Sequence, residues 1–173
     1  MKREEGVMIK NRKERSDKKR DVKPTISTEL KNCIYRLSYI TNTPVKDVVE
    51  TICEKGLQSR IIVENLSQYF RRDFQYKNTI FIGHLERKFS HKEHQSGKKE
   101  RITTRFNQTT YEDIKRLSDA LDVTPSKATA LLLDVSVRDS NLLNAFVKTY
   151  LHGKLDKMRM KELKQVLQYV NKN

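Results

Sequence analysis

At 173 residues, with 36% hydrophobic residues and no Trp, the chain has room for one domain or two small ones, and its core must be thin. A surplus of 36 Lys and Arg over 22 Asp and Glu gives a net charge of +14, which favours a polyanionic partner, nucleic acid before anionic membrane. No apolar run approaches the roughly 18 residues of a spanning helix and the polar start carries no secretory signal, so a cytoplasmic protein without a membrane partner is expected.

Residues 1–21 hold nine Lys or Arg against five acids and almost nothing apolar. Such a stretch cannot offset its ordering entropy by burial and is expected to be a flexible basic arm, either tracking nucleic-acid phosphates or simply solvated. From Val22 the pattern alternates. Val22, Pro24 and Ile26 share one face of a short strand, and Lys23, Thr25 and Ser27 share the other. Pro24 cannot donate to a ladder, so the strand is not expected to be central in a sheet; a two-stranded ribbon, where every strand is an edge, tolerates it.

Ser27 or Thr28 supplies the N-cap of a helix whose buried stripe is Leu30, Cys33, Ile34, Leu37 and Ile40. Thr43 and Pro44 break it and reopen a second helix, with Thr43 as cap and Pro44 at the first helical position. Val45, Val48, Val49 and Ile52 form the apolar face of that helix, and Gly56 is a plausible end signal. Cys33 and Cys53, both within these helices, read as small buried apolar residues rather than a disulfide.

Residues 58–100 are expected to form a connecting helix on Ile62, Leu66, Tyr69, Phe70 and Phe74, a strand or buried turn at Ile80, Phe81 and Ile82, and a basic linker from His84. The opening pattern then returns. Ile34, Arg36, Leu37 and Ser38 match Ile114, Arg116, Leu117 and Ser118 at an offset of 80. Thr43, Pro44 and Lys46 match Thr124, Pro125 and Lys127 if one residue is inserted.

In this second copy Ile102, Thr104 and Phe106 point inward, and Arg101, Thr103, Arg105 and Asn107 outward. Thr109 and Glu112 form a capping-box signature. Tyr111, Ile114, Leu117 and Leu121 make the first apolar stripe, and Ala128, Leu131, Leu132 and Val135 the second. Residues 139–173 suggest two further helices, one capped by Ser140 and one on Leu155, Met158, Leu163, Val166, Leu167 and Val170. The expected division is therefore an arm at 1–21, copies at 22–57 and 101–138, a connection at 58–100 and C-terminal helices at 139–173.

Strand, helix, break and helix, found twice in a basic chain, resembles the ribbon-helix-helix family of DNA-binding proteins. The tandem arrangement is similar to that of some conjugative-plasmid accessory proteins. The resemblance implies a mostly α fold with two ribbon-helix-helix units, each a strand of a short antiparallel two-stranded ribbon plus its helices, with additional connecting and C-terminal helices. It also implies double-stranded DNA as partner, read by a ribbon in the major groove. Lys23, Thr25 and Ser27 with Thr103, Arg105 and Asn107 take the family's base-reading positions, where Arg suits guanine and Asn suits adenine. Thr43, Val45 and Lys46 with Thr124, Ser126 and Lys127 take its phosphate-binding positions at the second helix's start. The two strands pair either with each other or with twins in a second chain, so self-association is possible; the long connection favours the first.

No catalytic residue, metal ligand set or cofactor motif is expected, and the chain is not read as an enzyme. His84, His91 and His94 form the only histidine cluster, without the carboxylates a metal-dependent nuclease needs. RNA binding would call for exposed stacking aromatics. The expected role is a transcriptional repressor or regulator, with plasmid partition or conjugative transfer as the alternatives.

Overall fold

The computed structural model describes residues 18–87, 97–150 and 157–170. Its elements, in chain order, are β1 (Arg20–Val22), β2 (Thr25–Ser27), α1 (Thr28–Thr41), α2 (Val45–Gln58), α3 (Arg60–Ser67), β3 (Phe74–Tyr76) and β4 (Thr79–Phe81), then β5 (Lys99–Arg101), β6 (Thr104–Phe106), α4 (Gln108–Leu121), α5 (Pro125–Arg138), α6 (Ser140–Tyr150) and α7 (Lys157–Val170). The fold is thus mostly helical, with short antiparallel pairs of strands. No helix among the described residues is long and apolar enough to cross a membrane. Most of the expected basic arm, together with His91, His94 and Leu155, lies outside the described residues.

The first two strands pair with segments some eighty residues away. Arg20, Asp21 and Val22 lie opposite Phe106, Arg105 and Thr104, and Thr25, Ile26 and Ser27 lie opposite Arg101, Glu100 and Lys99. Between the two ladders three steps on one strand match three on the other, which sets Lys23 opposite Thr103 and Pro24 opposite Ile102. The amide of Ile102 donates to the Pro24 carbonyl at 3.1 Å, but Pro24 has no N–H to return the bond. The ladder is interrupted for that reason, and the two pairings form one ribbon made within a single chain.

A constant offset of 80 relates the elements on either side of this ribbon. Helices α1 and α4, and α2 and α5, begin and end at equivalent positions. Asn42 and Asp122 terminate α1 and α4 in the left-handed conformation, with φ of 50° and 56°, where short polar side chains are tolerated. Thr43 N donates to the Ser38 carbonyl just as Val123 N donates to that of Ser118. The one-residue insertion expected from the Thr-Pro matches is therefore absent: Pro44 stands where Thr124 stands, and Val45 where Pro125 stands. Pro44, not Thr43, occupies the N-cap position of α2, and it offers no side-chain cap.

The burial pattern obeys the same offset. Val48, Val49, Ile52 and Cys53 are buried with their counterparts Ala128, Thr129, Leu132 and Leu133. The correspondence continues into α3 and α6, where Ile62, Val63 and Leu66 are matched by buried Leu142, Leu143 and Phe146. Each copy presents only one apolar side to its partner, and a fully buried Leu, Ile or Phe contributes on the order of 1.5–3 kcal/mol. A single copy of this size would bury too little to stand alone, so the two make one core between them.

The second helices, α2 and α5, pack against each other across the centre of that core. Gly56 is not an end signal but a buried residue inside α2. A Cβ on it would come within 2.3 Å of Ser136 Oγ and 3.1 Å of Leu132 Cδ1. Gly56 and Ser136 are equivalent positions, so two small residues meet where the helices cross. The absent side chain permits the close approach.

Beyond α3 and α6 the copies diverge. The chain after α3 turns through buried Phe70 into the β3–β4 hairpin, so the connecting helix ends earlier than expected. The backbone amides of Arg71 and Arg72 donate to the Ala120 carbonyl at 2.8 and 3.0 Å, and both guanidiniums bind Asp122. The C-terminal end of α4 is held there. After α6 the chain forms α7, which lies along α1 with an Arg36–Glu162 ion pair at 3.0 Å. Each copy's trailing segment thus braces the other copy's first helix.

Candidate nucleic-acid interface

Parity along the ribbon decides which side chains face outward. Val22, Pro24, Ile26, Ile102, Thr104 and Phe106 are buried beneath it. Asp21, Lys23 and Thr25 are exposed on one strand, and Lys99, Arg101, Thr103 and Arg105 on the other. Four of these seven side chains are cationic and one is anionic. At the offset of 80, Asp21, Lys23 and Thr25 are equivalent to Arg101, Thr103 and Arg105, three positions from each copy.

The structure brings Lys23, Thr25, Thr103 and Arg105 together on this face, as their alternation predicts. It removes Ser27 and Asn107 from it. Ser27 is buried, and its hydroxyl accepts the amide of Leu30 at 3.1 Å as the N-cap of α1. Asn107 is half-buried and caps α4 by accepting the amide of Thr110 at 2.8 Å, a role the capping-box reading had given to Thr109. Asn107 Nδ2 also donates to Glu54 Oε1 at 2.8 Å, and the Thr110 hydroxyl donates to the same oxygen at 2.9 Å. Both expected base readers are consumed because the chain turns into a helix at those residues, and a cap takes the side chain's acceptor. The outward triplets are shifted by two residues, one step of the alternation, which brings in Asp21 and Arg101. Alternation alone places Arg101 on the outward face. Asp21 falls in the stretch that composition reads as an arm, because Arg20, not an apolar residue, stands at the next alternating position before Val22.

The two arginines on the face differ in their surroundings. Arg105 lies opposite Asp21, and its Nε is 2.8 Å from Asp21 Oδ1, with both side chains more than half exposed. Arg101 lies opposite Thr25, and no ion pair to it occurs among the described residues. Near the other end of the ribbon, the Thr28 amide and hydroxyl donate to the Lys98 carbonyl at 2.9 and 3.0 Å. Glu100 takes Lys31 Nζ at 2.5 Å, and this hydrogen bond, ahead of all other influences, holds its carboxyl below the usual carboxylate range.

Helix starts flank the ribbon. The Thr104 hydroxyl donates to the Lys46 carbonyl at 3.2 Å, tying β6 to the first turn of α2. The Asp47 and Val48 amides both donate to the Pro44 carbonyl, which leaves Val45 and Lys46 as the first amides of the helix without a protein acceptor among the described residues. Thr43 contributes no cap: its hydroxyl turns back to the Thr41 carbonyl at 3.2 Å. In α5, Thr124 accepts the Lys127 amide at 3.3 Å and Pro125 has no N–H, so Ser126 supplies the free amide. Lys46 and Lys127 are exposed beside these starts. Positive helix ends with unbonded amides are suited to phosphate oxygens. The α2 start also carries Asp47, whereas the first turn of α5 has no acid.

Elsewhere the chemistry is sparse. Cys33 and Cys53 are free and buried, and burial pushes the Cys33 thiol up to about 12 and raises that of Cys53 as well. Among the described residues no three His, Cys, Asp or Glu side chains gather as metal ligands. Comparison with protein-family models, with curated proteins and with solved structures returns no match to this chain.

Proposed function

We propose that this protein binds double-stranded DNA sequence-specifically, inserting the two-stranded ribbon into the major groove in the manner of ribbon-helix-helix proteins. The observation that carries the reading is the outward face formed by residues 21–25 and 99–105. Two antiparallel strands from distant parts of the chain present Lys23, Lys99, Arg101 and Arg105 among short hydroxyl side chains. A ribbon of this width fits a major groove about 12 Å wide, where every base pair shows a distinct pattern of donors and acceptors. Arginine donates to guanine O6 and N7, and Thr25 and Thr103 suit either donors or acceptors.

Val45 and Lys46 in α2, and Ser126 and Lys127 in α5, are the proposed phosphate contacts that set the ribbon's depth. Because one chain completes the ribbon, one chain is a complete reading head, and any self-association would add heads rather than build one. Repression of transcription by occupying a promoter-proximal site is the proposed role. A partition or transfer complex would use the same face on differently placed sites.

The test is selection of duplexes by the full chain from a random pool, followed by titration at several salt concentrations. One enriched motif, bound at least about a thousandfold more tightly than random duplex and weakening steeply with salt, is expected. Equal affinity for all duplexes, preference for single-stranded RNA, or strand cleavage would overturn the proposal.

A further inference from the structure

The two halves of the ribbon are equivalent in backbone but not in chemistry, and the difference centres on Asp21. The cross-strand neighbour of Arg105 is Asp21; in the equivalent pair of the other half, Arg101 stands in the place of Asp21 and lies opposite Thr25, which stands in the place of Arg105. Asp21 engages Arg105 through Nε at 2.8 Å. Nε is the one guanidinium nitrogen inside the chain; the two terminal nitrogens carry the paired donors that match guanine O6 and N7. An acid placed here therefore fixes the base of the fork and leaves its prongs for a ligand.

As a source of stability the pair has little to offer. Both side chains are more than half exposed, at 59% and 52%, and exposed pairs of this kind are largely screened. Asp21 is also the only exposed acid among the seven outward residues of the ribbon, on a surface read as facing a polyanion, where an unengaged carboxylate would repel the ligand. Its effect is on position: a long side chain already held in one arrangement loses less freedom when it binds. Thr25 is too short and carries no charge to do this for Arg101.

Resting on the DNA-binding reading above, we propose that Asp21 is a positioning residue that orders Arg105 for one guanine, making the ribbon directional. The Arg105 half then reads its base stringently, and the Arg101 half, with a mobile arginine, reads loosely. The target is a non-palindromic site bound in one orientation, although the backbone that reads it is nearly symmetric.

The experiment is duplex selection with the full wild-type chain and with Asp21→Ala and Asp21→Asn, followed by affinity measurements on all four base pairs at each motif position. The expected result for Asp21→Ala is a loss of up to about tenfold on the wild-type motif, the cost of ordering one long side chain. The preference for guanine should flatten at a single position, while the position read by Arg101 and the salt slope stay unchanged. Asp21→Asn, which keeps the acceptor without the charge, should fall between. Tighter binding of Asp21→Ala to every duplex alike would show Asp21 to be merely a repelling charge and overturn the inference. So would an unchanged motif. A wild-type chain that enriches no motif would instead defeat the DNA-binding reading itself, so the two failures are distinguishable.

Discussion

The two copies, residues 20–67 and 100–147, share a backbone plan and a burial pattern at a constant offset and differ in what braces them and in what they expose. Each contributes a strand, a capped first helix, a second helix crossing its twin at the centre and a third helix. Yet α1 is braced by α7 and α4 by the β3–β4 hairpin and its preceding turn. On the outward face, Asp21, Lys23 and Thr25 stand where Arg101, Thr103 and Arg105 stand in the other copy. The buried side of a duplicated unit is held to a common geometry because each copy is the other's packing surface. Its exposed side carries no such restraint.

The largest expected effect comes from breaking the shared geometry. Gly56→Val forces a branched side chain against Ser136 and Leu132 and should cost about 2–3 kcal/mol, read as a fall in Tm. Ser136→Ala at the equivalent position should be nearly neutral, since its buried hydroxyl has no hydrogen-bond partner among the described residues. Equal losses from both would refute the assignment of Gly56 as the small residue that sets the crossing.

Next come the two arginines. Arg105→Ala and Arg101→Ala should each weaken binding to a selected duplex by about 1–3 kcal/mol, with Arg105 at the upper end and its loss confined to one base position. Uniform weakening across all duplexes would make either one a phosphate contact.

A third comparison separates capping from reading. Ser27→Ala should cost about 1 kcal/mol of stability without altering base preference. Asn107→Ala should cost more, because it removes a cap and also a partner of Glu54. A changed DNA motif in either variant would return these residues to the reading face.

The smallest effect distinguishes the ribbon's ends by pH. The folded-state value of Glu100 is depressed, so its contribution with Lys31 is complete above the ordinary carboxylate value and disappears as pH falls through the depressed one. The Tm difference between wild type and Glu100→Gln should be small at neutral pH, because both groups retain solvent contact, and should close on acidification. A difference that widens in acid would contradict the assignment.

Much of the plan was legible in the residues. Alternation from Val22 to Ile26 and from Ile102 to Phe106, the three-to-four stripe around Ile34 and Leu37, and the matched Ile114 and Leu117 all reported buried faces. Identity misled at the second helix. Aligning Thr43-Pro44 with Thr124-Pro125 required an insertion, whereas burial of Val48, Val49 and Ile52 with Ala128, Thr129 and Leu132 shows none. A proline can serve as the residue before a helix or as its first residue, so the same dipeptide sits one step apart in the two copies. The hairpin after α3 was half legible: the strand at Ile80 and Phe81 was expected, although Ile80 and Ile82 are exposed rather than buried, whereas Phe74 was expected on the connecting helix and lies in the first strand of the hairpin.

By itself the sequence determined the local matters: the periods of strand and helix, the positive balance, the buried thiols and the existence of a repeat. These depend on neighbours a few residues apart, and side-chain chemistry along the chain is enough to set them. Only the tertiary structure decided that the two strands pair within one chain, because that depends on surfaces brought together across eighty residues. The same pairing decided that Asp21 meets Arg105, that Ser27 and Asn107 turn away into caps, and that Gly56 lies at a crossing rather than at an end.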